Sequence, residues 1–287
     1  MRYRTQGFQL ANGHMASIVG AIGVPHNPNF PELVMRQGAG CDTAQSYKKA
    51  AEEFETLQPD AALIFTTDHL NTFFFENLPL LAIGADDVFA GPNDDVPTVG
   101  RCNVPSLAKF ARHIYAATVE AGFEPALVQE YEVDHSVIVP LHFMSPGQHV
   151  PVVPIFVSTH NPPRPSARRC FALGAAIRAA VQSWPEPLRV VVIGSGSFSF
   201  DVHGHLSPPG KLVGVPDPAW VAQVGDYLKR DAISELIAEA TPDRFSRAGN
   251  VSGEILNWIA MLGTLSGHKL AWLRPELQFG NSYAVWR

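Results

Sequence analysis

The sequence has 287 residues, 46% of them hydrophobic and 17% charged, with a formal net charge of −6. That length suits one large α/β domain, or two small ones, around a sizeable core, and the composition is that of an ordinary soluble globular protein. The acidic balance argues against broad nucleic-acid binding, which needs a basic face, and no apolar run approaches the roughly 18 residues of a membrane span.

Residues 1–14 are polar and unpatterned, lack the apolar core of a signal peptide, and read as an N-terminal extension. Met15 offers a second start, 15–287 reads as the main domain, and the protein is expected in the cytoplasm. The apolar run 16–24 is the first buried strand. Residues 43–58 have amphipathic helical spacing with an aspartate N-cap. Ala61–Thr66 is a short apolar strand ending at Thr67-Asp68-His69. A further strand at 79–83 is followed by a turn-rich loop (84–100), a helix (105–121) and a strand (126–131) leading into Asp134-His135. In the second half, Val150–Val157 is strongly apolar, 160–166 is a proline-rich loop, and 167–183 has helical periodicity. Arg189–Gly194 is the clearest buried strand, with helices at 218–239 and 253–265. Strands alternating with helices predict the α/β class: a single domain with a mixed, largely parallel central sheet flanked by helices.

Two histidines stand just past strands, His26 in GVPHNPNFP and His69 in LIFTTDHLN. Ligands of open α/β sheets collect beyond the carboxyl ends of strands, so the two are candidate neighbours in space. A histidine at such a place ordinarily caps a turn or bonds a carbonyl, and the pair alone identifies no metal. Glu254, in SGEILNW, opens an apolar helix, where a carboxylate gains roughly 0.3–1 kcal/mol from the helix dipole. Two imidazoles and one carboxylate are also the ligand set of non-haem Fe(II) oxygenases. Cys41, Cys102 and Cys170 form no CxxC pair and read as reduced structural thiols. Gly194-Ser-Gly-Ser lacks both nucleotide-binding and GxSxG spacing. Arg168 and Arg169 read as a solvated helix face, and Phe73-Phe74-Phe75 as core packing.

From about Ile18 onward the chain resembles the catalytic subunit of class III (type II) extradiol dioxygenases, the protocatechuate 4,5-dioxygenase β-subunit family. The resemblance rests on VPHNP around His26, TDHLN around His69, EVDHSVIVPL around His135, RRCFALGAAIRAAVQS at 168–183, VVIGSGSFS, SGEILNW and GNSYAV. It implies Fe(II) held by His26, His69 and Glu254, with His135 contacting a substrate hydroxyl or bound oxygen. It also implies a small aromatic substrate, O₂, and either a small accessory subunit or a homo-oligomer. One position departs from the pattern: Phe200 stands where the family has an acid/base histidine. Phenylalanine moves no proton, and general acid–base catalysis typically contributes about 10²–10⁴-fold. Either this branch uses other chemistry or another proton carrier, or His203 or His205 reaches the site, or the chain is a substituted variant. The expected function is Fe(II)-dependent extradiol cleavage of a catecholic or related ortho-hydroxy aromatic. The alternatives are a different oxidation on the same scaffold, motivated by Phe200, and a metal-binding protein without catalysis.

Overall fold

Runs of consecutive apolar residues leave a strand no polar face, so both of its sides must be covered. Four such runs form the middle of the sheet in a computed structural model that describes residues 15–147, 149–202 and 213–287. The chain begins with β1 (Ser17–Val24), α1 (Phe30–Gln37), α2 (Asp42–Leu57), β2 (Ala61–Thr66), β3 (Leu81–Gly84) and β4 (Val88–Gly91). It continues with β5 (Cys102–Pro105), α3 (Ala108–Glu120), β6 (Ala126–Val128), α4 (His135–Met144), β7 (Val152–Val157), α5 (Ala167–Gln182) and β8 (Arg189–Ser195). It ends with α6 (Pro218–Lys229), α7 (Ile233–Glu239), α8 (Pro242–Ala248), α9 (Ile255–Thr264), β9 (Leu270–Glu276) and β10 (Asn281–Trp286).

Eight strands make one sheet in the order β6-β3-β7-β2-β8-β1-β10-β9. Its centre, β7-β2-β8-β1, is parallel throughout, while β3 and β10 flank it antiparallel. The four central strands are those expected from the apolar runs, and the α/β architecture is as expected. Alternate side chains of β8 feed two separate cores. Val190 and Val192 join α5 and α9 on one face, and Val191 and Ile193 join α2 and α4 on the other. The connection from β1 to β2 passes through α1 and α2, and that from β7 to β8 through α5 on the opposite face. Loops leaving the strands' carboxyl ends therefore part above the sheet, the arrangement that opens a ligand crevice in such folds.

Several expected elements differ. The helix expected at 218–239 breaks at 230–232, where Asp231 takes a left-handed φ of 56°, giving α6 and α7. Asp42 does not cap α2: it lies inside the first turn after Cys41 and pairs instead with Arg274 at 2.5 Å. The loop at 84–100 contains β4, which pairs antiparallel with β5. The α4 segment HSVIVPLHFM is almost wholly buried, so it shows no amphipathic period, and it contains Pro140; these features hide a helix from sequence reading. Among the described residues no helix is long and apolar enough to cross a membrane. Residues 1–14, and the candidates His203 and His205, lie outside the described residues.

Ile193 is fully buried in the middle of β8. Ile193→Ala is expected to cost about 2–5 kcal/mol in denaturant unfolding, against at most about 0.5 kcal/mol for the exposed change Lys229→Ala.

Candidate active site

The carboxyl ends of the four parallel strands bring chemistry together. His26 lies two residues past β1, His69 three past β2, His160 three past β7, and Ser195 ends β8. Glu254 reaches them from a one-turn 3₁₀ helix, Ser252–Glu254, directly ahead of α9. His26 and Glu254 are each 2% exposed. Three ring nitrogens converge on one carboxylate oxygen: Glu254 Oε1 lies 3.1 Å from His26 Nε2, 3.4 Å from His69 Nε2 and 3.2 Å from His160 Nε2.

Each part is held from behind. Ser195 Oγ donates its only proton to the Ser136 carbonyl (2.9 Å), so it accepts from His26 Nδ1–H at 2.7 Å. That orients the ring and turns His26 Nε2 toward Glu254. His69 Nδ1 bonds Asp134 Oδ2 at 2.9 Å, and the same oxygen accepts the His69 backbone N–H. Asp134 also caps α4 by accepting Ser136 N–H, so one carboxylate both orients His69 and starts the helix that carries His135. His135 Nδ1 is held by Asp94 Oδ2, and its backbone N–H by Asp94 Oδ1. Its ring centroid lies 4.0 Å from that of His69 and 5.4 Å from that of His26.

Glu254 is aimed by two glycines. Gly196, at φ 153°, passes so close that a Cβ would stand 2.5 Å from Glu254 Cβ, and Ser197 N–H reaches Glu254 Oε2 at 2.7 Å. Gly253 lies on the Thr159 carbonyl, only 2.2 Å from where its Cβ would be. Any side chain at either position pushes the carboxylate off its partners.

Protonation follows from this packing. Burial by itself lowers the His69 pKa, but Asp134 and Glu254 carry it up to about 10. Burial by itself raises Glu254, yet the charge on His26 and the rings of His160, His26 and His69 hold it well below the usual carboxylate range. Asp134 is likewise held low against burial, chiefly by His69. Burial lowers both His135 and His160, which are thus neutral near pH 7. Burial and the nearby Asp134 push Asp68 up to about 6.

Of the residues singled out from sequence, His26, His69, Glu254 and His135 thus come together. Phe200 is half-buried, and its carbonyl accepts the Val251 N–H at 3.2 Å, tying it to the segment before Glu254. Glu254 was expected inside the first helical turn behind a capping serine, but no side chain caps α9. Only Phe73 of the Phe73–Phe75 run is core, packed edge-on against Phe156; Phe74 and Phe75 are 50% and 62% exposed. Arg168 and Arg169 are exposed at the start of α5, with Arg169 over the Phe123 ring. Sequence reading missed His160, Asp94 and Asp134. His160 carried the same strand-end signal as His26 and His69, but its proline-rich surroundings read only as loop. Asp94 and Asp134 show no role until the chain is folded.

The chain matches the family model of the catalytic LigB subunit of aromatic ring-opening dioxygenase over residues 20–285. It belongs to this family. Among LigB-family relatives it is similar to the gallate dioxygenase of Pseudomonas putida, 32% identical over 61% of this chain and 48% of that protein. A 2,3-dihydroxyphenylpropionate/2,3-dihydroxicinnamic acid 1,2-dioxygenase of Mycobacterium sp. is 27% identical over 78% of this chain and 82% of its own. The chain thus spans about half of the gallate dioxygenase and most of the second relative. The crystal structure of the uncharacterized protein JW3007 from Escherichia coli K12 shares the fold, with a TM-score of 0.57 at 15% identity over 93% of this chain and 98% of that one.

For this LigB-family chain without metal, the His69 shift sets a pH signature. A raised folded-state pKa stabilises fully below the unfolded value of about 6.5 and is lost as pH rises through about 10. The melting temperature of chelator-treated protein is expected to fall between about pH 7 and 10, with a linkage slope approaching one proton. In His69→Asn that alkaline slope should be absent, and its persistence would show that another group titrates.

Proposed function

We propose that this chain is an Fe(II)-dependent extradiol dioxygenase that uses O₂ to open the ring of a catechol or related ortho-hydroxy aromatic. The observation that carries the reading is the convergence of imidazole Nε2 atoms on Glu254 Oε1 in a pocket where Glu254 stays anionic. Buried nitrogen donors around one carboxylate, with no cysteine among the candidate metal groups of the described residues, fit a ferrous ion's preference for imidazole and carboxylate. In this reading His26, His69 and Glu254 hold the ion. Once bound, Fe(II) supplies open coordination positions for substrate oxygens and O₂ and a path for electrons between them.

The chain's own residues do the rest. Ser195 and Asp134 hold the His26 and His69 rings with Nε2 inward, so neither must reorient when substrate arrives. His135, neutral and anchored through Nδ1 by Asp94, presents Nε2 beside His26 and His69, where it accepts a hydroxyl proton from the aromatic diol. In this reading Phe200 stands at the position where relatives of this type carry a proton-moving histidine, and its backbone is tied to Val251. Phe74 and Phe75, exposed on the loop that follows His69, support a small accessory subunit or second copy that covers the pocket. The three cysteines are far apart in the sequence and form no CxxC pair, which supports a reducing, cytoplasmic setting. Relatives named for gallate and dihydroxyphenylpropionate support an acidic aromatic diol as substrate.

The test is anaerobic Fe(II) reconstitution followed by O₂ uptake over catechols, carboxylated catechols and aminophenols. One O₂ consumed per ring-opened semialdehyde is expected. Oxygen consumption with no ring-opened product would instead favour another oxidation on this scaffold. Phe200→His, at matched iron content, is expected to raise catechol turnover by about 10²-fold, the lower range for general acid–base catalysis. Unchanged turnover would show that the native proton carrier is already in place.

A further inference from the structure

We infer that His160 is a fourth protein ligand of the centre, so that the resting ion is held by three histidines and one glutamate. This rests on the metal-site reading above and extends its ligand set. Donor atoms sharing an ion at bond lengths of roughly 2.0–2.2 Å lie roughly 2.8–3.6 Å apart, for ligand angles of about 90–110°. His160 Nε2 stands 3.2 Å from Glu254 Oε1, between the values for His26 (3.1 Å) and His69 (3.4 Å). By its distance to Glu254, His160 qualifies as well as the two histidines that the motif assigns. His69, His160 and Glu254 also form a candidate metal group in their own right.

The orientation of the ring supports the same conclusion. His160 Nε2 is wholly shielded from solvent yet lacks a hydrogen-bond partner of adequate geometry among the described residues. It sits 3.2 Å from Glu254 Oε1, within ion-pair distance. A buried polar nitrogen left so costs about 1–3 kcal/mol, and a cation between it and Glu254 satisfies its lone pair. His135 differs. Its ring packs on those of His26 and His69 while Asp94 ties its far side, which leaves it to the substrate.

The scaffold places His160 as firmly as the other two. The ends of β2 and β7 are joined by Thr159 Oγ1 donating to Thr67 Oγ1 at 2.9 Å and Thr67 Oγ1 donating to the Val157 carbonyl at 3.0 Å. The Arg164 guanidinium donates to the Thr159 carbonyl and, at 2.5 Å, to the His160 carbonyl. Gly253 packs directly on that Thr159 carbonyl, so the His160 turn and the Glu254 turn move as one piece.

The experiment uses the full chain, stripped of metal and handled anaerobically. Fe(II) affinity is read by competition with a colorimetric chelator, and coordination by the visible spectrum of the Co(II)-substituted protein. His160→Gln keeps size and polarity but removes the imidazole. It is expected to weaken Fe(II) binding more than 100-fold, beyond the range of 10–100-fold for residues that only support ligands, and to alter the Co(II) bands. In His160→Ala, added imidazole is expected to restore affinity. A loss below 100-fold, an unchanged Co(II) spectrum, or no rescue by imidazole in a variant with wild-type circular dichroism each overturns the assignment. His69→Ala separates the two levels. If it too keeps its iron, the underlying metal-site reading fails, and if it alone loses iron, only the role of His160 does.

Discussion

A carboxylate 2% exposed in a protein interior is the constraint around which the site is built. Removing Glu254 from water costs several kcal/mol unless its oxygens meet donors or positive charge. One oxygen is met by the Ser197 backbone N–H, and the other faces three imidazole nitrogens. Several other contacts in the site bring those partners within reach or hold them there. Gly196 and Gly253 allow the two close backbone approaches, and Asn257 and Trp258 of α9 donate to the carbonyls of Ser195 and Gly196, fixing the turn that supplies Ser197. The segment that carries the carboxylate and the strand end that meets it are thereby one rigid unit.

The same need for partners repeats one shell further out. Asp134 is buried too, and it is met by His69, by Ser136 and by the N-terminus of α4. In accommodating its own charge it fixes a histidine and starts the helix bearing another. Ser195 does likewise without charge: its single proton goes to Ser136, which leaves only an accepting role toward His26. Polar groups that must be satisfied somewhere are satisfied by orienting the residues around the pocket, so preorganisation and stability draw on the same bonds.

Phe200 stands out against this polar economy. Its backbone is tied to Val251, three residues before Glu254, so substitution by histidine tests local chemistry without moving the scaffold. The neutral His135 and His160 both pack against the His69 ring, one anchored by Asp94 and the other 3.2 Å from Glu254 Oε1.

What the sequence by itself determined is the set of local elements with a strong period: the four buried central strands, the long amphipathic helices α2, α3 and α5, and the strand-end placement of His26 and His69. Burial on both faces writes itself into consecutive apolar residues, and a histidine straight after such a run is visible without any fold. The matched motifs further singled out Glu254 and His135. Tertiary structure alone decided which strands are neighbours. It placed β8 between β1 and β2, so that Ser195 meets His26 across 169 residues, and brought β7 and its His160 beside β2. It also decided that HSVIVPLHFM is a helix, since a segment buried on nearly every side has no amphipathic period, and that Asp94 and Asp134 serve histidines. Those outcomes depend on close backbone approaches and on charges satisfied by residues distant in the chain, and neither leaves a periodic trace in the sequence.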